Sequence, residues 1–361
     1  MAMIIRDFVI ETSTTTGTGN ISLSGAVNSL RAFSSVCSTG DKVRVIIKAI
    51  DGSGFPTGEW EISECTYSSA NTLTRDTVIA SSNSDALVNF SAGTKHVYMG
   101  ADATVLSYVR EKLTADRTYY VRTDGSDSNS GLADTSGGAF LTIQKAIDVV
   151  ADTLDCARKN VYVQVRDGTY TAGVTMRPLV GSTVINIVGN TTTPANCIIS
   201  TSGSCVNSGV RGFGINISGF KITSSAGIGV QVGIGGYVYQ YGAMDIGSCA
   251  TSHYYCRGAG SYIAITYAYT ISGNAPTHMQ ILDQAGVGFE GIVVTLSGTR
   301  AFSSAYIYAR SLGFATFGAS SFTGSATGKR YDLTLNSACY AGGVTLPGNS
   351  AGTTATGGQY A

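Results

Sequence analysis

Side chains capable of acid–base chemistry are sparse in the C-terminal part of this 361-residue chain. Beyond residue 200 the acidic side chains are Asp245, Asp283, Glu290 and Asp332. Hydrolysis of a glycosidic bond needs two carboxylates that flank the bond, one acting as acid and the other as base or nucleophile. Cleavage by elimination needs a base and a cation that neutralises a uronate. Few pairings of these residues could support either reaction.

The spacing of the acids does not place a competent pair together. Asp245 and Asp283 are 38 residues apart, which is not near a whole number of the repeats described below, whereas Asp283 and Glu290 could approach across a turn. The candidate assisting side chains are His253, Arg257 and His278. Each of these residues has an ordinary alternative role in a turn, at a strand end or on the surface. The sequence therefore predicts no catalytic centre within one chain. Asp245, Asp283 and Glu290 remain weak candidates, and a site shared between protomers stays open.

Tyrosine is the residue type that points most clearly to binding. The chain has 20 tyrosines, and eight of them fall within residues 237–269. In "YVYQY" three tyrosines alternate, which places their rings on one side of a strand. Such rings can stack on sugars while their hydroxyl groups reach water or a partner. The candidate glycan-binding residues are Tyr237, Tyr239, Tyr241, Tyr262, Tyr267 and Tyr269. The alternative is that these rings fill the core or an interface between protomers.

The stretch "DGSDSNSG", residues 124–131, has the alternating oxygen-bearing residues of a calcium loop. A loop of the EF-hand type requires a bidentate Glu at its twelfth position. That position is Thr135 counted from Asp124, and Gly138 counted from Asp127. Asp, Asn, Ser and Gly are also typical of tight turns. We therefore predict a turn, with no metal and no cofactor, and expect Asp124, Asp127 and Asp134 to lie away from any substrate groove.

Composition limits the class of protein. Charged residues make up only 13%, the formal net charge is zero, and short runs of Val, Ile, Thr and Tyr alternate with Gly-rich turns, which indicates an all-β protein. Neutrality argues against a nucleic-acid partner, and no apolar stretch is long enough for a membrane span. The first residues lack the features of a signal peptide. Eight cysteines without a CxxC motif favour buried thiols over zinc, although later disulfide formation stays open.

Three regions follow along the chain. Residues 1–100 alternate strand-like runs with turns and predict a small antiparallel β domain. Residues 101–117 carry Leu106, Val109 and Leu113 at helical spacing, which predicts a short helical neck that packs against copies of itself. Residues 118–361 start with the opening turn and end in a Gly-rich stretch.

The third region combines one helix with repeated strands. In "AFLTIQKAIDVVADTL" one helical face carries Ile143, Ala146, Ile147, Val150 and Leu154. Beyond it, Ile222, Ile246, Ile271, Val294, Phe317 and Leu335 follow at intervals of 24, 25, 23, 23 and 18. Such a period predicts a β-solenoid capped by the helix, with about ten coils over residues 119–361 and roughly 50 Å of stacked strands. A two-sheet sandwich is the structural alternative.

Several stretches resemble a known family. "YYVRTDGSDSNSGLADTSGGAFLTIQKAIDVV" is similar to the opening motif of right-handed parallel β-helix proteins of the pectin-lyase-like superfamily. "ETSTTTGTGNISLSGAV" and "TYSSANTLTRDTVIASSNSDALVNFSAGTKHVYM" resemble the virion-attachment domain of bacteriophage tail fibres and tailspikes, and "LPGNSAGTTATGGQYA" resembles their C-termini. The resemblance implies a homotrimeric structural protein of the virion. It would be made in the bacterial cytoplasm, held to other virion proteins by residues 1–100, and bound to host surface polysaccharide through its β-helix. The alternative function is a tailspike depolymerase, either a hydrolase or a lyase, but the sparse acids favour a protein that is not an enzyme.

Overall fold

The computed structural model describes residues 3–68, 71–100 and 110–361, and only the main chain of Glu290. The chain divides into two compact units, Met1–Val109 and Arg110–Ala361. No helix among the described residues is long and apolar enough to cross a membrane. Within these ranges the fold is all-β apart from one α-helix and two short 3-10 turns.

The N-terminal unit is built on one seven-stranded sheet, which confirms the predicted small antiparallel β domain. Its strands are β1 (Met3–Ile4), β2 (Ile10–Ser13), β3 (Ile21–Ser22), β4 (Lys42–Ile50), β5 (Pro56–Ser68), β6 (Thr72–Ser81) and β7 (Thr94–Met99). The sheet order is β2-β7-β4-β5-β6-β3, with β1 pairing parallel to β4. Alternate residues of β4 point inward, where Val43, Val45 and Ile47 are fully buried.

The predicted helical neck is wrong for the part that the structure describes. Leu106 and Val109 lie outside the described residues. From Arg110 onward the chain is extended: β8 (Glu111–Lys112) pairs parallel with β10 (Leu154–Asp155). Leu113 is buried in the core of the second unit, and its N–H donates to the Asp155 carbonyl at 2.9 Å. The second unit thus begins at Arg110, eight residues before the predicted boundary.

Helix α1 (Ile143–Thr153) begins where the opening loop ends. Asp127 of that loop accepts hydrogen bonds from the N–H groups of Leu141 and Thr142, each at 2.9 Å, and from the Thr142 hydroxyl at 2.8 Å. Thr142 in turn caps the helix by accepting from the Lys145 N–H. The loop is thus a turn that fixes the start of the helix, as predicted. The predicted helical face is buried against the solenoid strands.

The second unit is a parallel β-helix, as the resemblance implied, in which each coil contributes strands to three faces. We call the ten-stranded sheet the first face. Its strands are β9 (Arg117–Val121), β11 (Val161–Val165), β14 (Val184–Val188), β17 (Gly214–Ser218), β20 (Tyr237–Gln240), β23 (Tyr262–Ile265), β26 (Gly286–Glu290), β28 (Phe314–Gly318), β30 (Ala338–Tyr340) and β32 (Gln359–Tyr360). All its pairings are parallel.

The other two faces belong to one 13-stranded sheet. The second face contains β12 (Gly168–Tyr170), β15 (Cys197–Thr201), β18 (Lys221–Ser224), β21 (Asp245–Cys249) and β24 (Tyr269–Ile271). The third face contains β13 (Val174–Thr175), β16 (Val206–Ser208), β19 (Val230–Gly233), β22 (Ser252–Arg257) and β25 (Ala275–Leu282). The long strands β27 (Val293–Arg310) and β29 (Ser321–Leu333) continue over both faces, and β31 (Thr353–Thr354) pairs with β29.

The predicted period holds for part of the repeat. Ile222 pairs with Ile246, and Ile246 pairs with Ile271, as expected for stacked coils. The next partner of Ile271 is Leu296 rather than Val294. Phe317 belongs to the first face, and Leu335 lies in an exposed turn. The later coils differ because long strands replace two short ones, so a residue count alone cannot follow the register.

The interior also departs from expectation, since it holds large aromatic rings beside the aliphatic columns. Phe289 and Phe317 stack with their centroids 4.5 Å apart, and Tyr306 is fully buried. All eight cysteines are unpaired thiols, and seven of them are buried. Burial raises the pKa of Cys197 to about 12, so this thiol stays protonated and packs as an apolar group.

We expect Asp127→Ala to destabilise the second unit by about 1–3 kcal/mol, because the Leu141 and Thr142 N–H groups would lose their acceptor. Asp124→Ala is the matched control. It removes an exposed ion pair with Arg122, which solvent screens, so its effect on stability should be much smaller than that of Asp127→Ala. Urea unfolding followed by circular dichroism measures both variants. Equal effects, or a wild-type melting temperature that rises with added calcium, would contradict the capping role.

Candidate functional site

The weak catalytic candidate Asp245 begins β21 on the second face. It is 9% exposed, and one of its oxygens lies 3.3 Å from the Lys221 ammonium group. Its Oδ1 is buried without a hydrogen-bond partner among the described residues. Asp245 borders a groove of about 380 Å³, lined also by Pro194, Tyr269 and Val293. One inaccessible carboxylate in a mainly apolar groove cannot supply both the acid and the base of a cleavage reaction.

The other two candidates lie elsewhere on the coil. Asp283 occupies the turn between the third and first faces with a φ of +56° and accepts from Arg257 Nε at 2.7 Å. Glu290 ends β26, so Asp283 and Glu290 stand at opposite ends of that strand, separated by more than ~13 Å of extended main chain. Asp245 and Glu290 lie at the same corner, between the first and second faces, but two coils apart, which is roughly 10 Å between main chains. Asp283 lies at the corner between the third and first faces, so the structure does not gather the three acids at one position.

His253 and His278 are not surface groups but are fully buried inside the solenoid. Their Nδ1 atoms are 2.8 Å apart, and His278 Nε2 lies 2.7 Å from the Tyr269 hydroxyl. Burial lowers the pKa of His253 to about 3. Burial, followed by the charge of His253, lowers the pKa of His278 well below its usual value. Both imidazoles are therefore neutral, and neither can reach a substrate.

The outward side of the first face carries the tyrosines. In β20 Val238 and Gln240 point inward, so Tyr237 and Tyr239 point outward, and Tyr239 is 43% exposed. The parallel register places Tyr237 beside Tyr262, and Tyr239 between Asn216 and Ala264. We define the tyrosine face as the outward side of β11 to β30. It includes the tyrosines Tyr162, Tyr237, Tyr239, Tyr262 and Tyr340.

Glycines let some of these rings lie flat against the sheet. A Cβ atom on Gly214 would lie 2.2 Å from the Tyr237 ring, and one on Gly286 would lie 2.2 Å from the Phe314 ring. The Tyr237 hydroxyl also donates to the Thr183 carbonyl at 3.2 Å. Each ring thus covers the glycine of the preceding coil, which fixes its orientation and turns its other side outward.

Two asparagines form the polar part of the tyrosine face. The register continues from Tyr162 through Asn186 and Asn216 to Tyr239. Asn216 Nδ2 donates to Asn186 Oδ1 at 2.8 Å, and Asn186 Nδ2 donates to the Val161 carbonyl at 3.1 Å. In this column two rings therefore flank a pair of fixed amide groups, of which Asn186 is only 8% exposed.

Two outward columns of this face carry no charged side chain. One runs Val184, Gly214, Tyr237, Tyr262, Gly286, Phe314, Ala338 and Gln359. The other runs Asn186, Asn216, Tyr239, Ala264, Gly288, Thr316 and Tyr340. No position of these two columns, all of which the structure describes, has a charged side chain. From Asn186 to Tyr340 they extend over six strand spacings, roughly 29 Å.

The remaining candidate tyrosines lie around one corner. Tyr241 follows β20 and is exposed, and Tyr267 lies in the turn after β23 with 52% of its surface exposed. Tyr269 is only 3% exposed, and its hydroxyl contacts His278. The prediction that Tyr269 faces outward is therefore wrong. It begins β24, where the inward side of the second face takes large rings because the solenoid is wider there than we expected.

A groove at the same corner was missed by the sequence analysis. It has a volume of about 640 Å³ and is lined by residues that follow β9, β11 and β14, namely Arg122, Thr123, Asp124, Gln164, Val165, Arg166, Asp167, Gly189, Asn190 and Thr191. We call it the corner groove. Asp124 therefore borders a groove, which the sequence analysis did not foresee. The signal was present in the repeated "VRTDG" and "VRDG", which place an arginine and an aspartate after two stacked strands.

Comparisons with known proteins add a likeness in fold. No protein-family model matches the chain, and no curated protein sequence matches it. Two solved structures of the pectin methylesterase from Aspergillus niger, in deglycosylated and penultimately deglycosylated forms, match with a TM-score of 0.42 and 12% identity. Each match covers 70% of this chain and 86% of the other chain. The β-helix assignment here rests on the strand register, and nothing about activity follows from a likeness this distant.

The two buried histidines should make stability depend on pH. In the unfolded chain their pKa values return to about 6.5. Because the folded-state pKa values are lower, the unfolded state binds more protons below that pH. The stabilisation is therefore complete above about pH 6.5 and is lost as the pH falls. We expect about 1–3 kcal/mol less stability at pH 5.5 than at pH 7.5, measured by urea unfolding and circular dichroism.

His253→Gln should remove about half of this pH dependence, because Gln does not titrate. His96→Gln, in the N-terminal unit, is the control and should leave the loss unchanged. A wild-type free energy of unfolding that stays constant between the two pH values would contradict the buried neutral pair.

Proposed function

We propose that this protein binds a surface polysaccharide through the tyrosine face of its β-helix and does not cleave it. The observation that carries the proposal is the uncharged outward surface on which Tyr162, Tyr237, Tyr239 and Tyr262 flank the Asn186–Asn216 amide pair. Rings held against the sheet lose little conformational freedom on binding, since a tyrosine has only two χ angles. The face runs across the strands, so a linear glycan would lie along the axis of the solenoid.

The placement of the acids supports binding over cleavage. Asp283 lies at a different corner from Asp245 and Glu290, which are themselves two coils apart, and the two buried histidines cannot act as acid or base. A depolymerase would need a pair of carboxylates on either side of the bond. The corner groove does contain acids, but arginines lower the pKa of both Asp124 and Asp134. Neither is suited to act as the general acid.

We further propose that the protein is a fibre or spike of a bacteriophage virion, with its N-terminal unit attached to the particle and its β-helix meeting the host glycan. This part rests on the resemblance of residues 1–100 to attachment domains. The homotrimer implied by the same resemblance stays a prediction. In its favour, three exposed apolar side chains, Ile234, Leu312 and Leu335, occupy turns between the third and first faces, as a surface covered by another copy would.

Tyr239→Ala should weaken binding to the host polysaccharide about tenfold, or about 1.4 kcal/mol, because it removes an exposed ring from the centre of the face. The melting temperature should change little, since the ring is not part of the core. Binding is measured by calorimetry with purified glycan. A large drop in melting temperature with unchanged affinity would contradict the proposal.

Gly214→Ala tests the same face without removing a ring. The added Cβ atom would collide with the Tyr237 ring and turn it out of the plane of the face. Gly318→Ala, at the end of β28, is the matched control because no atom lies within 4 Å of its added Cβ. We expect only Gly214→Ala to reduce affinity, and equal effects would argue against the flat-ring surface.

The attachment role is tested by virion incorporation. A chain lacking residues 1–100 should be absent from purified particles, whereas a full chain with Tyr239→Ala should be incorporated normally. Detection by immunoblot of particles distinguishes the two. Incorporation of the shortened chain would contradict the assignment of attachment to the N-terminal unit.

A further inference from the structure

The corner groove has features that the proposed glycan face does not explain. Three successive strand ends of the first face line it, and its polar side chains come from three stacked coils: Arg122 and Asp124, then Arg166 and Asp167, then Asn190. At about 640 Å³ it has room for a sugar unit. We infer that it is a second subsite, which takes an amino-sugar unit of the same glycan. This inference rests on the proposed function.

Charge is the first argument. Arg122 bonds to Asp124 and Asp134, and Arg166 bonds to Asp134. Asp167 has no ion-pair partner among the described residues, and its two oxygens accept from Asn190 Nδ2 at 2.9 and 3.2 Å. The groove lining has two aspartates and two arginines, and Asp134, outside the lining, pairs with both arginines. Counted together, three carboxylates accompany two guanidinium groups, which leaves one net negative charge on the cluster. Such a groove attracts an ammonium group and repels a uronate, a sulfate or a phosphate.

The hydrogen-bonding capacity of the groove fits the rest of a sugar ring. Asn190 Oδ1 accepts from the N–H groups of Thr192 and Thr193, so the side chain that holds Asp167 is itself fixed. Gln164, on the outward side of β11, donates to the Val188 carbonyl at 3.2 Å. Arg122 and Arg166 retain exposed guanidinium surface that can donate to hydroxyl groups.

Position is the second argument. Gln164 is two residues from Tyr162 on the outward side of β11, so the corner groove adjoins the tyrosine face directly. Tyr241 occupies the same corner two coils beyond Asn190. A glycan lying on the tyrosine face would therefore reach the corner groove without leaving the protein surface.

Calorimetry with defined oligosaccharides tests the inference on the full chain. The probes are a β-linked glucosamine oligosaccharide, its N-acetylated counterpart of equal length, and an oligogalacturonate. The wild type should bind the glucosamine form most tightly, the neutral form less tightly and the acidic form least. Asp167→Asn should weaken the glucosamine form about tenfold and the neutral form less than about threefold.

Asp283→Asn is the matched control, because it removes one negative charge from a different corner of the same solenoid. It should change neither affinity. Tyr239→Ala should weaken both the glucosamine and the neutral forms, so failure of the tyrosine face and failure of the corner groove give different results. Circular dichroism melting verifies that each variant is folded.

Three outcomes would overturn the inference. The first is an equal effect of Asp167→Asn on the glucosamine and neutral forms, the second is no effect on either, and the third is tighter wild-type binding of the oligogalacturonate. Unchanged binding after Asp167→Asn together with a loss after Tyr239→Ala would leave the proposed function standing without the second subsite.

Discussion

Parallel, in-register stacking of coils is the constraint on which the second unit depends. Main-chain hydrogen bonds run from coil to coil, so each outward residue lies ~4.8 Å from its partner on the next coil. A surface of this unit is therefore built in columns. The register stacks Tyr162, Asn186, Asn216 and Tyr239 into one outward column, although they are far apart along the chain. A slip of one residue would turn the whole column inward.

The same constraint explains why glycine and aromatic residues occur together. On a parallel sheet, a large ring that stands upright would crowd its neighbours in the column, whereas a ring that leans onto a glycine gains contact and keeps one side free. Tyr237 over Gly214 and Phe314 over Gly286 follow this rule. Inside the solenoid, the rings of Tyr269 and Tyr306 instead stack with His278, which forms a buried aromatic layer. Some tyrosines thus pack inside the solenoid, whereas others form part of its outward surface.

Patterns within short stretches of sequence predicted much of this fold, because strand alternation and helix capping depend on residues that are close together in the chain. The antiparallel domain, the helix at residues 143–153 and the outward placement of Tyr237 and Tyr239 all follow from alternation or helical periodicity. The predictions that failed concerned residues whose surroundings are set by contacts distant in sequence. Tyr269 begins a strand whose inward side was set by the wider later coils, and His253 and His278 are buried because they satisfy each other. The corner groove combines three coils, so no single stretch contains it.

Our central proposal is that the neutral, flat tyrosine face holds a glycan along the axis of the solenoid. The most direct measurement is a crystal structure of the protein soaked with an oligosaccharide of the host polysaccharide. We expect sugar rings stacked on Tyr237 and Tyr239, with hydroxyl groups bonded to Asn216, and the chain crossing the strands. An oligosaccharide bound instead in the groove beside Asp245, or between protomers with the tyrosine face buried, would contradict it.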